Sequence, residues 1–171
     1  GTFLPVKSSL VAEHTMHREP FVVTLPFLEK LLSRKGKLVA VGTTSVRTLE
    51  SLYYVGVKCI EDGCPGDVSQ WEPYERSYDH SYMDAISAIV RYMKDNGLES
   101  IQLGTRIIIV PGYEFKAVDV LVTNFHQPQS TLLLLISAFV GGKWRDIYDH
   151  AMSNGFRFLS YGDSSLLFRS E

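Results

Sequence analysis

Two apolar runs between positions 117 and 140 constrain the architecture of this chain more than any other feature. Ala117-Val118-Asp119-Val120-Leu121-Val122 reads as a mostly buried strand, and Leu132 to Val140 reads as a helix too apolar to face water. Both need cover on nearly every side, which calls for helices layered on a sheet. The connection between them, Thr123-Asn124-Phe125-His126-Gln127-Pro128-Gln129-Ser130-Thr131, carries polar groups that a core does not need. A strand ending in such a connection delivers its side chains to the sheet's carboxyl edge, where open α/β sheets hold their ligands. Asn124, His126 and Ser130 are therefore candidate ligand-facing residues. The same three also suit ordinary structural work, as a turn residue, a loop histidine and a helix cap.

The rest of the chain mixes strands and helices in the same way, so the expected class is α/β, with a mixed, mainly parallel sheet flanked by helices. A length of 171 residues with 45% hydrophobic content predicts one globular domain over 1–171. Phe3 to Val6 and His14 to Val23 read as strands. Thr24-Leu25-Pro26 starts a helix that stops near Gly36. Lys37 to Val41 is a strand, and Thr43-Thr44-Ser45 open a helix whose Val46, Leu49, Leu52 and Tyr53 keep helical spacing up to Gly56. Residues 58–80 read as an irregular excursion with a function or mobility of its own. A helix follows from Tyr82 to an Asn96-Gly97 cap, then strands at Arg106–Val110 and Phe115–Val122. Helices at Thr131–Val140 and Trp144–Ser153 and an apolar closing segment, Ser165–Phe168, complete the order.

A formal net charge of −2 gives no global basic signal, so contact with nucleic acid would need a local patch or further protein. Arg106, Lys116, Arg145 and Arg157 are scattered, and their spacing singles out none of them. The two cysteines, Cys59 and Cys64, lack two further ligands at metal-binding spacing, so free thiols and no metal are expected. The run Leu132 to Val140 is too short to span a bilayer. With no signal peptide ahead of the chain, a cytoplasmic monomer without membrane contact is the expectation.

Three further segments carry candidate chemistry. Gly42-Thr43-Thr44-Ser45 joins a buried strand to a helix start, where amide N–H groups, the helix dipole and three hydroxyls suit an anion. Arg47, one turn on, can add a charge-assisted pair. The same run also suits simple capping, and neither the phosphate-loop nor the dinucleotide glycine pattern is present. His14 and His17 lie near Glu13 and Glu19, and a carboxylate can orient an imidazole and raise its basicity. Tyr161-Gly162-Asp163 places a carboxylate at a turn, where it either serves a site or stabilises the turn itself.

These segments, Glu13 to Glu19, Val41 to Glu50, Val110-Pro111-Gly112-Tyr113, Leu121 to Thr131 and Phe156 to Asp163, occur in an order and spacing that resemble S-adenosylmethionine:tRNA ribosyltransferase-isomerases. The resemblance runs from Gly1 to about Phe168, with departures at Val110, Gln127 and Ser164-Ser165. It implies the carboxyl-terminal part of a larger α/β domain, whose amino-terminal half and inserted β-barrel have no counterpart here. It also implies transfer and isomerisation of the ribosyl moiety of S-adenosylmethionine, as co-substrate, to 7-aminomethyl-7-deazaguanine in tRNA. Epoxyqueuosine forms, and adenine and methionine leave. In that reaction the sulfonium acidifies the adjacent ribose carbon, so a general base starts the rearrangement.

The resemblance makes His126, His14 and His17 the proton-transfer candidates, with His126 first. Asn124 would fix ribose hydroxyls, and Phe125 would offer a face to adenine or deazaguanine. Thr43, Thr44, Ser45 and Arg47 would hold the methionine carboxylate, with Ser130 and Asp163 lining the same site. Two other readings fit the residues: a nucleoside- or S-adenosylmethionine-binding module without turnover, and a divergent interaction domain.

Overall fold

The computed structural model describes residues 15–170. The expected strand at Phe3–Val6 and residue His14 lie outside that range. The described residues divide into two compact units, one holding Leu38–Val46 and the segment from Ile108 onward, the other holding Met16–Lys37 and Arg47–Ile107. Each contains one sheet.

In the first unit three strands pair in the order β2 (Val39–Val41), β4 (Val120–Asn124) and β5 (Ser164–Phe168). β4 is central: it runs parallel to β2 and antiparallel to β5. Register puts Ala40, Leu121 and Leu167 side by side, and all three are buried. On the opposite face Val39, Val41, Leu166 and Phe168 stay exposed. Helix α5 (Thr131–Val140) buries Leu135, Ile136 and Phe139, as its largely apolar sequence requires. A 3₁₀ turn at Gly141–Lys143 leads into α6 (Trp144–Ser153), which buries Tyr148 and Ala151. Both helices have the predicted limits.

The second unit is built on an antiparallel pair, β1 (Glu19–Thr24) and β3 (Ser100–Thr105). Thr24 caps α1 (Leu25–Ser33) by accepting from the Phe27 N–H, and Pro26 occupies the first turn. Helix α4 (Tyr82–Asp95) begins with a capping box between Ser81 and Asp84 and ends at Gly97, which has φ +63°. Helix α2 (Thr43–Glu61) starts in the first unit and continues into the second.

Several expectations are corrected. The α/β class holds, but among the described residues only β2–β4 of the three strand pairs is parallel, and the strands form two sheets. Helix α2 does not stop at Gly56; a Cβ there would lie 2.2 Å from the Ala85 carbonyl oxygen, so this glycine serves a close approach of α4. Ile107, Ile108 and Ile109 are buried without joining a strand, because Arg106 N–H donates to the Val68 carbonyl, Ile107 N–H to Thr105 Oγ1, and Arg47 Nε to the Ile107 carbonyl. The strand lies just before, at Ser100–Thr105. Likewise β4 begins at Val120, five residues later than predicted from Phe115, since Asp119 turns its carboxylate and amide to Leu38.

The excursion is less irregular than its composition suggests. It holds a short helix α3 (Glu72–Glu75), and Lys58 Nζ and the Ser69 N–H both donate to the Glu72 carboxylate, at 2.8 and 2.9 Å. Asp67 accepts from Arg18 Nε at 2.6 Å and from the Gly104 N–H at 2.7 Å. Tyr53 donates its hydroxyl proton to the His80 carbonyl at 2.7 Å. Val68 forms a bridge to Thr105. Polar bonds of this kind, most of them part-buried, fix a loop that has little apolar content.

Candidate functional site

The first unit gathers three of the predicted segments at one sheet edge. β2 and β4 are parallel, so both carboxyl ends face the same way, and the Gly42 N–H extends the pairing by donating to the Val122 carbonyl at 2.8 Å. β5 runs the other way, which brings its start, Ser164, beside Asn124. Gly42 to Ser45, Thr123 to His126 and Gly162 to Ser164 therefore share this edge.

Gly42 adopts φ +86°, a conformation that turns the chain from β2 straight into α2. The amino terminus of α2 thus opens at the edge with Thr43, Thr44 and Ser45 in its first turn. Thr43 is buried and Thr44 exposed, while the Ser45 hydroxyl donates back to the Val41 carbonyl at 2.8 Å. Unpaired first-turn amides and the helix dipole give this end a partial positive charge.

Asn124 ends β4 and donates through Nδ2 to the carbonyls of Gly162 and Asp163 at 3.5 and 3.3 Å. These bonds are long, so they tie the strand ends loosely. Phe125 is only 4% exposed, and its ring packs against Tyr148, Phe156 and Phe158. This corrects the expectation of an open stacking face: Phe125 anchors the connection. Its carbonyl accepts from the Leu159 N–H, and Leu159 sits at φ +67°.

His126 is held at two points. Nε2 lies 3.0 Å from Thr123 Oγ1, and its backbone N–H donates to the Tyr148 hydroxyl at 3.0 Å. Burial lowers its pKa below the ordinary imidazole value, because a charged ring loses hydration there. Sequence reading missed Thr123 and Tyr148. Thr123 stands three residues away within the same segment; Tyr148 lies on α6, 22 residues on, and leaves no local signal.

Asp163 accepts the Arg157 N–H at 2.8 Å and pairs with the Arg157 guanidinium at 3.5 Å. Those contacts, the backbone bond first, hold its carboxyl below the usual range. Its turn-stabilising work is thus realised. Ser130 caps α5 by accepting from the Leu133 N–H at 3.2 Å and donates its own proton to the Gln127 carbonyl at 2.7 Å.

Of the other predicted residues, His14 lies outside the described range, and His17 and Arg47 lie in the second unit. His17 is exposed and precedes β1. Arg47 is 3% exposed, and its Nη1 pairs with Glu19 at 2.7 Å. Burial lowers the guanidinium pKa and the Glu19 charge opposes it. Glu19, expected beside a histidine, is the partner of an arginine. Among the described residues no group of three His, Cys, Asp or Glu side chains can hold a metal ion, and no helix is long and apolar enough to cross a membrane.

Comparison with known proteins decides the family. The model of the family described as Queuosine biosynthesis protein matches residues 1–167. The chain belongs to this family. An S-adenosylmethionine:tRNA ribosyltransferase-isomerase of Caulobacter vibrioides is 43% identical over all of this chain, which covers 37% of that protein. One from Agrobacterium fabrum is 43% identical over 99% of the chain, again covering 37% of the relative. The crystal structure of S-adenosylmethionine tRNA ribosyltransferase from Thermotoga maritima superposes with a TM-score of 0.56 at 32% identity, over 86% of this chain and 40% of that one. The chain thus spans well under half the length of these queuosine-family relatives.

Proposed function

We propose that this protein transfers and isomerises the ribosyl moiety of S-adenosylmethionine onto 7-aminomethyl-7-deazaguanine in tRNA, giving epoxyqueuosine with release of adenine and methionine. The observation that supports it most is the convergence of the α2 start, the β4 end and the Gly162–Ser164 turn at one carboxyl edge, in a chain of the queuosine family. In this reading the Thr43 and Thr44 hydroxyls and first-turn amides receive the methionine carboxylate, with Ser45 holding the turn. Arg47, buried in its ion pair with Glu19, is left out of this ligand contact. Asn124 takes ribose hydroxyls, Phe125 and Ser130 fix the connection, and Asp163 closes the rim.

His126 is the general base. Its lowered pKa keeps the ring neutral near pH 7, ready to take the proton that the sulfonium has acidified. His14 and His17 stay in the proposal as further proton-transfer groups on the family resemblance alone. Calorimetric titration of the intact protein with S-adenosylmethionine, beside an adenine-release assay on modified tRNA, tests the reading. Binding with release supports it; absence of both overturns it.

The coverage of only 37% of the relatives favours one second reading, a binding module whose turnover needs further protein. Binding without adenine release would identify it.

A further inference from the structure

Resting on the reading of His126 as the proton-transfer group, we propose that Thr123 is its positioning residue: the Thr123 hydroxyl holds Nε2, which leaves Nδ1 as the ring atom that exchanges a proton with the substrate. Thr123 is a rigid platform for this task. It lies near the end of the central strand β4, is 6% exposed, and its own carbonyl accepts from Ser165 Oγ on β5 at 3.1 Å. The second hold, from the Tyr148 hydroxyl to the His126 backbone, comes from a buried ring packed edge-on against Phe125, Phe158 and Trp144. Together they fix both the ring and the backbone that carries it.

A hydroxyl suits this position chemically. It accepts from Nε2–H when the ring is neutral and again when the ring is an imidazolium, so the contact survives the whole proton cycle. A carboxylate would also orient the ring, but its charge would favour the protonated form and raise the pKa. With a neutral partner, burial sets the titration and leaves the base free at neutral pH. The polar groups that meet His126 from packed elements are the Thr123 hydroxyl on β4 and the Tyr148 phenol on α6. Among the described residues no hydrogen-bond partner reaches Nδ1.

The step balances simply. The Nδ1 lone pair takes a proton from the substrate carbon, the bonding pair stays on that carbon, and the ring becomes an imidazolium whose Nε2–H still points at Thr123. The proton later leaves from the same Nδ1.

Imidazole ¹⁵N spectra and pH–rate profiles of the intact protein and its Thr123→Val and Thr123→Ser variants test the assignment. The expected result is a protected Nε2–H signal for His126 in the unsubstituted protein and in Thr123→Ser, lost in Thr123→Val. In Thr123→Val, kcat falls on the order of 10-fold, a fraction of what a whole general base contributes. KM for S-adenosylmethionine stays unchanged, the limb of the kcat profile assigned to His126 shifts, and Thr123→Ser restores both. A neutral ring carrying its proton on Nδ1, or Thr123→Val with unaltered kcat and pH profile, overturns it. Should Thr123→Val fail to fold, the ¹⁵N spectrum of the unsubstituted protein still decides. His126→Gln separates the two levels: if it retains turnover, the proton-transfer reading itself falls. If His126→Gln is inactive while Thr123→Val is unaffected, only the positioning role falls.

Discussion

His126 resists protonation because burial strips water from its ring and the Thr123 hydroxyl gives back no charge. Its folded-state pKa lies below the unfolded value near 6.5, so the unfolded chain takes up the proton more readily. The stabilising contribution is complete above that unfolded value and disappears as pH falls through the folded one. An NMR titration should therefore place the His126 midpoint below 6.5, and His126→Gln should lessen the loss of stability on acidification. A midpoint at or above the ordinary value would contradict this. Arg47 teaches a different lesson: its sequence position suggests a ligand contact, but the guanidinium is buried against Glu19. Arg47→Ala strands that carboxylate and should cost about 3 kcal/mol by urea unfolding, with strong coupling to Glu19→Gln in a double-mutant cycle. Additive effects would show that the pair is not an energetic unit. Asn124 and Ser130 were legible as turn and cap types, because such roles depend on neighbours within a few positions. The Arg47–Glu19 pair and the Tyr148 hold were not, since each joins residues more than 20 positions apart, and single-sequence periodicity carries no such information.

Helix ends were the most readable features. The Thr24 cap, the Ser130 cap and the Asn96-Gly97 terminus all occur where local chemistry demands them. Gly56 was misread because a glycine in a helical pattern signals either an end or a close neighbour, and only the packed structure separates the two. Gly56→Ala would push a methyl carbon to 2.2 Å from the Ala85 carbonyl oxygen, so α2 or α4 must shift. A destabilisation of roughly 2–3 kcal/mol is expected, read from the urea midpoint. An unchanged midpoint would mean that the two helices are not in contact there. The isoleucine run at 107–109 shows the converse: burial without pairing looks like a strand in sequence, because hydrophobicity reports cover and not the ladder.

Across the described residues, the apolar content serves two sheets instead of one, and the class was legible where the strand pairing was not. Pairing direction depends on long-range topology, and among the described residues β1, β3 and β5 pair with other strands only in antiparallel fashion. The burial pattern predicts unequal costs on the two faces of the three-stranded sheet. Leu121→Ala on its covered face should cost about 2–5 kcal/mol, while Val41→Thr, at a residue 69% exposed, should cost no more than about 0.5 kcal/mol. Thermal or urea unfolding of the two variants checks this, and equal costs would contradict the assigned register. The central functional claim is that the carboxyl edge of this sheet handles the adenosyl group with His126 as base. Adenine release from S-adenosylmethionine on modified tRNA, measured for the intact protein and its His126→Gln variant, tests it most directly. The account predicts a loss of at least ~100-fold in kcat with S-adenosylmethionine binding retained; turnover at the unsubstituted rate would contradict it.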